Sequence, residues 1–231
     1  KMLDLIIKNG KCYIDGELKD VDVAIKDKKI HKIGQISEEA KEIIDASNHT
    51  VLPGCIDTQT HFREPGSTDT EDLHSGSRAA IAGGITSVFE MPNTNPPTSN
   101  KKEFQRKLDL AKNRMYCNYA FYFGATADNA DDLASLKDLE GCCGIKLFAG
   151  SSTGNLLVAE EDDIDKVFQN ASKVVAVHSE DEAILKKNKK LIKQGDVHTH
   201  PIWRSAECAI SSTRRIVRIA EKYNKKAHVL H

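Results

Sequence analysis

The chain has 231 residues, 33 Lys+Arg against 34 Asp+Glu and a formal net charge of −1, with 39% hydrophobic and 29% charged residues. This is soluble globular composition, long enough for one large core or two small ones. The near-zero charge excludes a general nucleic-acid surface, which needs a basic excess to displace counterions, and no apolar run reaches the roughly 20 residues of a membrane span. The N-terminal KMLDLIIKNG has neither the length nor the small-residue cleavage site of a secretory signal. The six cysteines, Cys12, Cys55, Cys117, Cys142, Cys143 and Cys208, show no CxxC and no regular spacing. They read as reduced core thiols of a cytoplasmic protein.

Residues 1–50 read as a small β unit. Leu3, Leu5 and Ile7 alternate with polar positions, as do Val21, Val23 and Ile25, then Ile30 and Ile33, with Gly10, Gly16 and Gly34 as turn signals. So small a unit must pack on something else or be completed by other strands. Over 51–231 short apolar runs alternate with stretches of helical period. Strands are expected at Val51–Ile56, Ile85–Met91, Cys117–Phe123, Cys143–Phe148, Val174–His178 and Ala227–His231. Helices are expected from about Glu71 to Ala82, stopped by Gly83-Gly84, and at 101–112, with Phe104, Leu108 and Ala111 on one stripe. A short helix holds Leu133 and Leu136, and another carries Ile164, Val167, Phe168 and Ala171. The last two run 180–193 and 203–222, the latter with Ala206, Ala209, Ile210, Thr213, Ile216, Val217 and Ala220 inward.

Six β runs separated by helices predict a parallel sheet, either doubly wound or a closed barrel. No GxGxxG follows the first strand. Polar residues recur at the C-terminal ends of strands, where barrels keep their chemistry. Asp57, Gln59 and His61 close the first run, Asn93 follows the second, Lys146 lies in the fourth, and His178 and His231 end the fifth and sixth. The expected fold is therefore α/β, a (β/α)8 TIM barrel of which about six βα units are present, behind the small N-terminal β unit.

A lone histidine reads more readily as a satisfied structural residue than as a ligand. A lysine inside Gly-Ile-Lys-Leu-Phe does not, because a buried ammonium is costly unless it is paired or chemically changed. Four such residues at strand ends point to a metal site, imidazole being the common ligand for zinc-class metals. Other clusters carry less. GSSTGN at 150–155 lacks a P-loop ending and reads as the turn after the fourth strand, lining the cleft. KKNKKLIK at 186–193 reads as a solvated helix face. His74, His198 and His200 read as structural, with the 198–207 loop near the site, and Trp203 as a packing anchor.

PGCIDTQTHFREPG, residues 53–66, resembles the dihydroorotase signature of the amidohydrolase superfamily, Asp-x-His-x-His-x-Arg-x-Pro-Gly. The likeness continues through EMPNTNPPT (90–98), GIKLFAGSSTGNLL (144–157), VHSEDE (177–182), HPIWRSAE (200–207) and HVLH (228–231). The resemblance implies a metal-dependent hydrolase barrel holding two divalent metals, usually Zn2+, bridged by a lysine that CO2 has carbamylated. Lys146 matches that lysine, His178 and His231 match ligands of one metal, and His61 matches a ligand of the other. Arg63 and Asn93 match the residues that hold the substrate's α-carboxylate, and an arginine there separates dihydroorotases from allantoinases and hydantoinases. The implied reaction is reversible hydrolysis of dihydroorotate, a small molecule, to N-carbamoyl-L-aspartate in cytoplasmic pyrimidine biosynthesis. The resemblance implies aspartate carbamoyltransferase as a partner, and the open edges of an incomplete barrel suggest a second copy of the chain; charge and hydropathy point to no nucleic acid and no membrane.

Two departures qualify this. Gln59 stands where the signature has its first histidine, and a neutral amide oxygen replaces imidazole poorly at zinc. The family's general acid/base aspartate matches a position past His231, so no residue here is assigned that catalytic role. At most one well-held metal is expected. Three readings stand: a dihydroorotase-like cyclic amidohydrolase, a catalytically silent homologue with a binding or assembly role, and a hydantoinase- or allantoinase-like cyclic amidase.

Overall fold

The computed structural model describes residues 2–152 and 154–231, and the chain divides into two units, Lys1–Gly54 and Cys55–His231. The first unit holds β1 (Leu3–Lys8), β2 (Lys11–Ile14), β3 (Glu17–Asp20), β4 (Asp22–Lys26), β5 (Lys29–Gly34), β6 (Ala40–Asp45) and β7 (Thr50–Val51). They form two sheets, ordered β5-β4-β1-β6 and β3-β2-β7. Leu3, Ile6, Ala24 and Ile36 make a small buried cluster. Strands β2, β3 and β6 carry no clean alternation of buried positions, and β3 is exposed throughout. Periodicity alone therefore does not reveal them.

Pro53 and Gly54 explain the one strand that sequence places wrongly. Proline cannot donate to a ladder and glycine weakens one, so Val51–Ile56 is not a single strand. Thr50–Val51 pairs with β2 in the first unit, and the first strand of the second unit, β8, runs later, over Cys55–Thr60. This shift puts Asp57 and Gln59 inside β8 and His61 just beyond its end.

The second unit continues with α1 (Leu73–Ala82), β9 (Ile85–Glu90), α2 (Lys101–Ala111), β10 (Asn118–Gly124), a 3-10 segment at Ala130–Leu136, β11 (Cys142–Phe148), α3 (Glu161–Asn170) and β12 (Val175–His178). Then come α4 (Glu182–Asn188), α5 (His200–Trp203), α6 (Ala206–Lys222) and β13 (Ala227–Val229). Asp72 starts α1 through a capping box with Ser75, Asn100 caps α2, and Asp181 caps α4 through the amides of Ala183 and Ile184. The six strands lie in strict chain order, β8 to β13, and each neighbouring pair is parallel. A doubly wound sheet reverses its order at a switch point, whereas a βα barrel does not. The sequential order is that of six successive units of a TIM barrel.

Side-chain alternation sorts the two faces. Phe121, Phe123, Ile145, Leu147, Val175 and Val177 join Phe104, Ile164, Phe168, Ile216 and Ile219 in the core between sheet and helices. Tyr122 and Ala176 lie on the other face with Met91. Lys146 pairs with Ala176 and Phe148 with His178, so parity places Lys146 and His178 on that same inner face.

The helices depart from the sequence reading in three places. The segment at Leu133 and Leu136 is 3-10 rather than α, and 180–193 shortens to α4 followed by a 3-10 turn at Lys189–Leu191. The helix expected at 203–222 breaks at Arg204 and Ser205, and the buried stripe of α6 is Cys208, Ser212, Ile216, Ile219 and Ala220. Ile210 and Val217 are exposed instead. The six cysteines are free thiols, but Cys55, on edge strand β8, is exposed rather than in the core. GSSTGN includes Thr153, which lies outside the described residues.

One ion pair is sealed inside this unit. Lys107, on the apolar face of α2, meets Glu90 at the end of β9, and both are at most 1% exposed. Lys107 Nζ also donates to the Met91 carbonyl at 2.9 Å, and the Phe62 amide donates to Glu90 at 3.3 Å. Burial pushes Glu90 up to about 7, with Lys107 opposing, and lowers Lys107 against the pull of Glu90. Removing one partner leaves the other buried alone, which costs about 3–5 kcal/mol. Lys107→Met is therefore expected to lower the unfolding free energy by about that amount in denaturant titration, and Glu90→Gln in the same chain to restore most of it.

Candidate active site

The floor of the site is Lys146. Its side chain is 1% exposed, its Nζ has no hydrogen-bond partner, and it lies 4.6 Å from the centre of the Phe148 ring. Burial pushes its pKa down to about 7. The positive field of Lys146 reaches His61, His178 and His231 alike, so the structure brings together the four residues singled out at strand ends.

The three imidazoles are all held below the usual histidine range. Burial, then the charges of Arg63 and Lys146, pushes His61 down to about 4, against a hydrogen bond with Asn93. Burial lowers His178, opposed by its bond to Glu180, and burial with the neighbouring His178 and Lys146 lowers His231. At neutral pH the cluster is uncharged imidazole, the form that ligates metals. The rings of His178 and His231 meet edge to face at 4.7 Å. The Gln59 amide nitrogen lies 3.2 Å from His231 Nδ1, so Gln59 sits in the cluster and against a neighbouring ring.

The segment between β8 and α1 is tied down on both sides of Arg63. The Phe62 amide is held by Glu90. Glu64 receives both guanidinium nitrogens of Arg114, at 2.7 and 3.1 Å, and the amide of Leu73 at 2.9 Å. Arg63 itself adopts a left-handed backbone, φ +59°, a conformation that persists in a non-glycine residue only where neighbours enforce it. Gly66, at φ +113°, closes the turn against Asn95: a Cβ there would lie 2.6 Å from the Asn95 carbonyl oxygen. The Asn95 amide also donates to the Pro65 carbonyl at 2.9 Å. These contacts lock the Arg63 turn to the loop that carries Asn93.

Sequence reasoning missed the next layer. Glu180 Oε2 sits 2.6 Å from His178 Nε2 and also accepts from the Arg204 guanidinium, which donates in addition to the Ser151 carbonyl at 2.8 Å. Arg204 lies over the Trp203 ring at 4.4 Å, so Trp203 serves as a platform at a half-buried surface. Both Glu180 and Arg204 stand inside motifs already noted, VHSEDE and HPIWRSAE. The available signal was an acid two residues after a strand-end histidine. A cavity of about 720 Å³ opens beside these groups, lined by His178, Glu180, His200, Arg204 and His231. His200 thus reaches the site wall, while His74 packs on Tyr116 with ring centres 5.2 Å apart.

Among the described residues no three His, Cys, Asp or Glu side chains stand close enough to hold a metal by themselves. The donor set fits one nonetheless, once Lys146 is counted. His178 Nδ1 and Lys146 Nζ are buried polar atoms without partners on the same face, and Lys146 supplies an anionic donor if converted to a carbamate. His178, His231 and Lys146 would form one end of such a site and His61 the other, with Gln59 a weak donor.

Residues 50–229 match the family model described as amidohydrolase family. The chain is 34% identical over its whole length to a dihydroorotase from Methanosarcina mazei and 33% identical over 99% of its length to an allantoinase from Escherichia coli O1:K1 / APEC. It spans about half the length of these relatives, 51% and 53%. Its structure superposes on an L-hydantoinase from Arthrobacter aurescens with a TM-score of 0.90 at 26% identity, covering all of this chain and 53% of that one. Sequence, sheet order and neighbours agree that the chain belongs to the amidohydrolase family.

Proposed function

We propose that this chain carries the metal- and carboxylate-binding side of a dihydroorotase-type cyclic amidohydrolase, which opens dihydroorotate to N-carbamoyl-L-aspartate and closes it in reverse. The observation that carries the reading is Lys146, a buried amine without a partner amid three neutral imidazoles. With its pKa near 7, much of Lys146 is the free amine at neutral pH. That amine adds to CO2: an N–C bond forms, one proton leaves, and the neutral amine becomes an anionic carbamate with oxygen donors. A divalent cation held there would supply acidification of water and polarisation of the ring carbonyl. In the hydrolysis water adds to that carbonyl, the ring C–N bond breaks, and the ring nitrogen takes a proton.

Arg63 supports this substrate over a hydantoin or allantoin. Its planar fork suits a carboxylate bidentately, dihydroorotate carries one, and its turn is locked to the loop of Asn93. Losing a charge-assisted contact costs about 1.5–3 kcal/mol, or about 10–100-fold. Arg63→Lys is expected to weaken N-carbamoyl-L-aspartate binding by that factor in calorimetry and to lower kcat/KM for dihydroorotate by as much. Opening of hydantoin or allantoin by the zinc-loaded protein, with dihydroorotate neither bound nor opened, would overturn the assignment.

Metal content tests the site directly. The purified protein is expected to retain one equivalent of zinc by elemental analysis, Lys146→Met to retain almost none, and Gln59→His to gain a second. Two tight equivalents in the unsubstituted chain would contradict the role given to Gln59.

Lys146 also sets a pH dependence. Its lowered folded pKa means that its penalty on folding is full below about pH 7 and is relieved as pH rises toward the ordinary lysine range. In metal-free, CO2-free buffer, thermal stability is expected to rise over that window. Lys146→Met should be more stable at pH 7 and lack this part of the slope.

A further inference from the structure

His178 offers two ring nitrogens in different surroundings. Nε2 faces Glu180 at 2.6 Å, while Nδ1 is buried without a partner. In a neutral imidazole one nitrogen carries the proton and the other a lone pair. A carboxylate at Nε2 selects the proton for that side and leaves the lone pair on Nδ1. We propose that Glu180, clamped by Arg204, is a positioning residue that fixes His178 as the Nε2–H tautomer and so presents Nδ1 to the cation site. This rests on the metal-dependent reading above.

The clamp on Glu180 is built from several directions. Arg204 engages Glu180 and the Ser151 carbonyl and stacks on Trp203. The break between α5 and α6 falls at Arg204, whose backbone leaves helical geometry there. On the opposite side Gly150 admits residue 180 closely: a Cβ on Gly150 would stand 2.7 Å from the Glu180 carbonyl oxygen and 2.8 Å from its Cβ. Gly150 and Ser151 follow β11, the strand of Lys146. One arginine therefore joins the turn after the Lys146 strand to the carboxylate that orients His178. The carboxylate is itself 13% exposed and occupied on Oε2 by both His178 and Arg204, which suits it to orienting a ligand rather than to being one.

The test uses the full chain, metal-free, with isotope-labelled histidine, and reads the His178 tautomer from ring nitrogen shifts above neutral pH. His178→Gln assigns the signal. Zinc affinity is measured alongside by equilibrium dialysis. The unsubstituted protein is expected to show Nε2–H. Glu180→Ala is expected to lose that preference and to weaken zinc about 10–100-fold. Glu180→Gln, whose amide oxygen still accepts from Nε2–H, keeps the tautomer and loses about tenfold in affinity or less. An Nδ1–H tautomer in the unsubstituted protein, or a tautomer and affinity unmoved by Glu180→Ala, overturns the proposal. If Glu180→Ala does not fold, Arg204→Ala decides: His178 that keeps its tautomer and zinc affinity when the clamp is removed overturns it. A protein that takes up no zinc but whose His178 tautomer follows Glu180 would sink the metal-dependent reading while sustaining the orientation of His178.

Discussion

A lysine buried without a counter-charge is the constraint around which the second unit is arranged. Parallel strands covered by helices on one face leave the alternate positions of β11 and β12 on the other, and there Lys146 and His178 share a register with Ala176 and Phe148. An ammonium cannot be stable in such a place. Burial drives Lys146 toward its neutral form, and the same burial holds His61, His178 and His231 neutral. The result is a cluster of basic groups that carry lone pairs instead of charge. The imidazoles of this cluster hold few protons near neutrality and Lys146 is poised between its two forms there, which leaves lone pairs available to a metal cation.

Three carboxylates of the region stand one step back from this cluster, each paired with its own cation. Glu90 is paired with Lys107 and holds the Phe62 amide, Glu64 is forked by Arg114 and fixes the 61–66 segment, and Glu180 is clamped by Arg204 and faces His178. Buried ion pairs return little net stability because desolvation offsets their attraction. Their repetition around one site is better explained by geometry. Each fixes a backbone or ring that a ligand-binding group depends on, and the left-handed Arg63 is held between two of them.

The barrel units were legible because their strands are continuous apolar runs and their helices carry an amphipathic stripe. The first barrel strand is displaced from the apolar run 51–56 because Pro53 and Gly54 interrupt its hydrogen bonding. The β unit is only half visible: β3 and β6 are edge strands with mostly exposed side chains, and the turn at Asp27 and Lys28 takes positive φ without a glycine to mark it. Of the candidate site, the basic residues that cluster at strand ends can be picked out by position. Lys107 and Arg204 could not, because their partners are remote in sequence and only packing brings them together. Lys107 left one trace, a cation three residues after Phe104 on an otherwise apolar stripe.

Gln59 and Arg63, in the segment 53–66, meet their surroundings differently. Gln59 addresses the cluster through His231 Nδ1, where its amide can orient the neighbouring imidazole. At Arg63 everything needed to present a guanidinium is intact. Overall similarity cannot separate the candidate substrates, since a dihydroorotase at 34% and an allantoinase at 33% stand equally near. On the reading proposed for this chain, ring opening falls to the barrel face and its lysine. Selection of a carboxylate-bearing substrate then falls to the Arg63 turn, whose fork suits a carboxylate. On that reading, specificity lies in a short, rigidly anchored segment outside the sheet rather than in the fold.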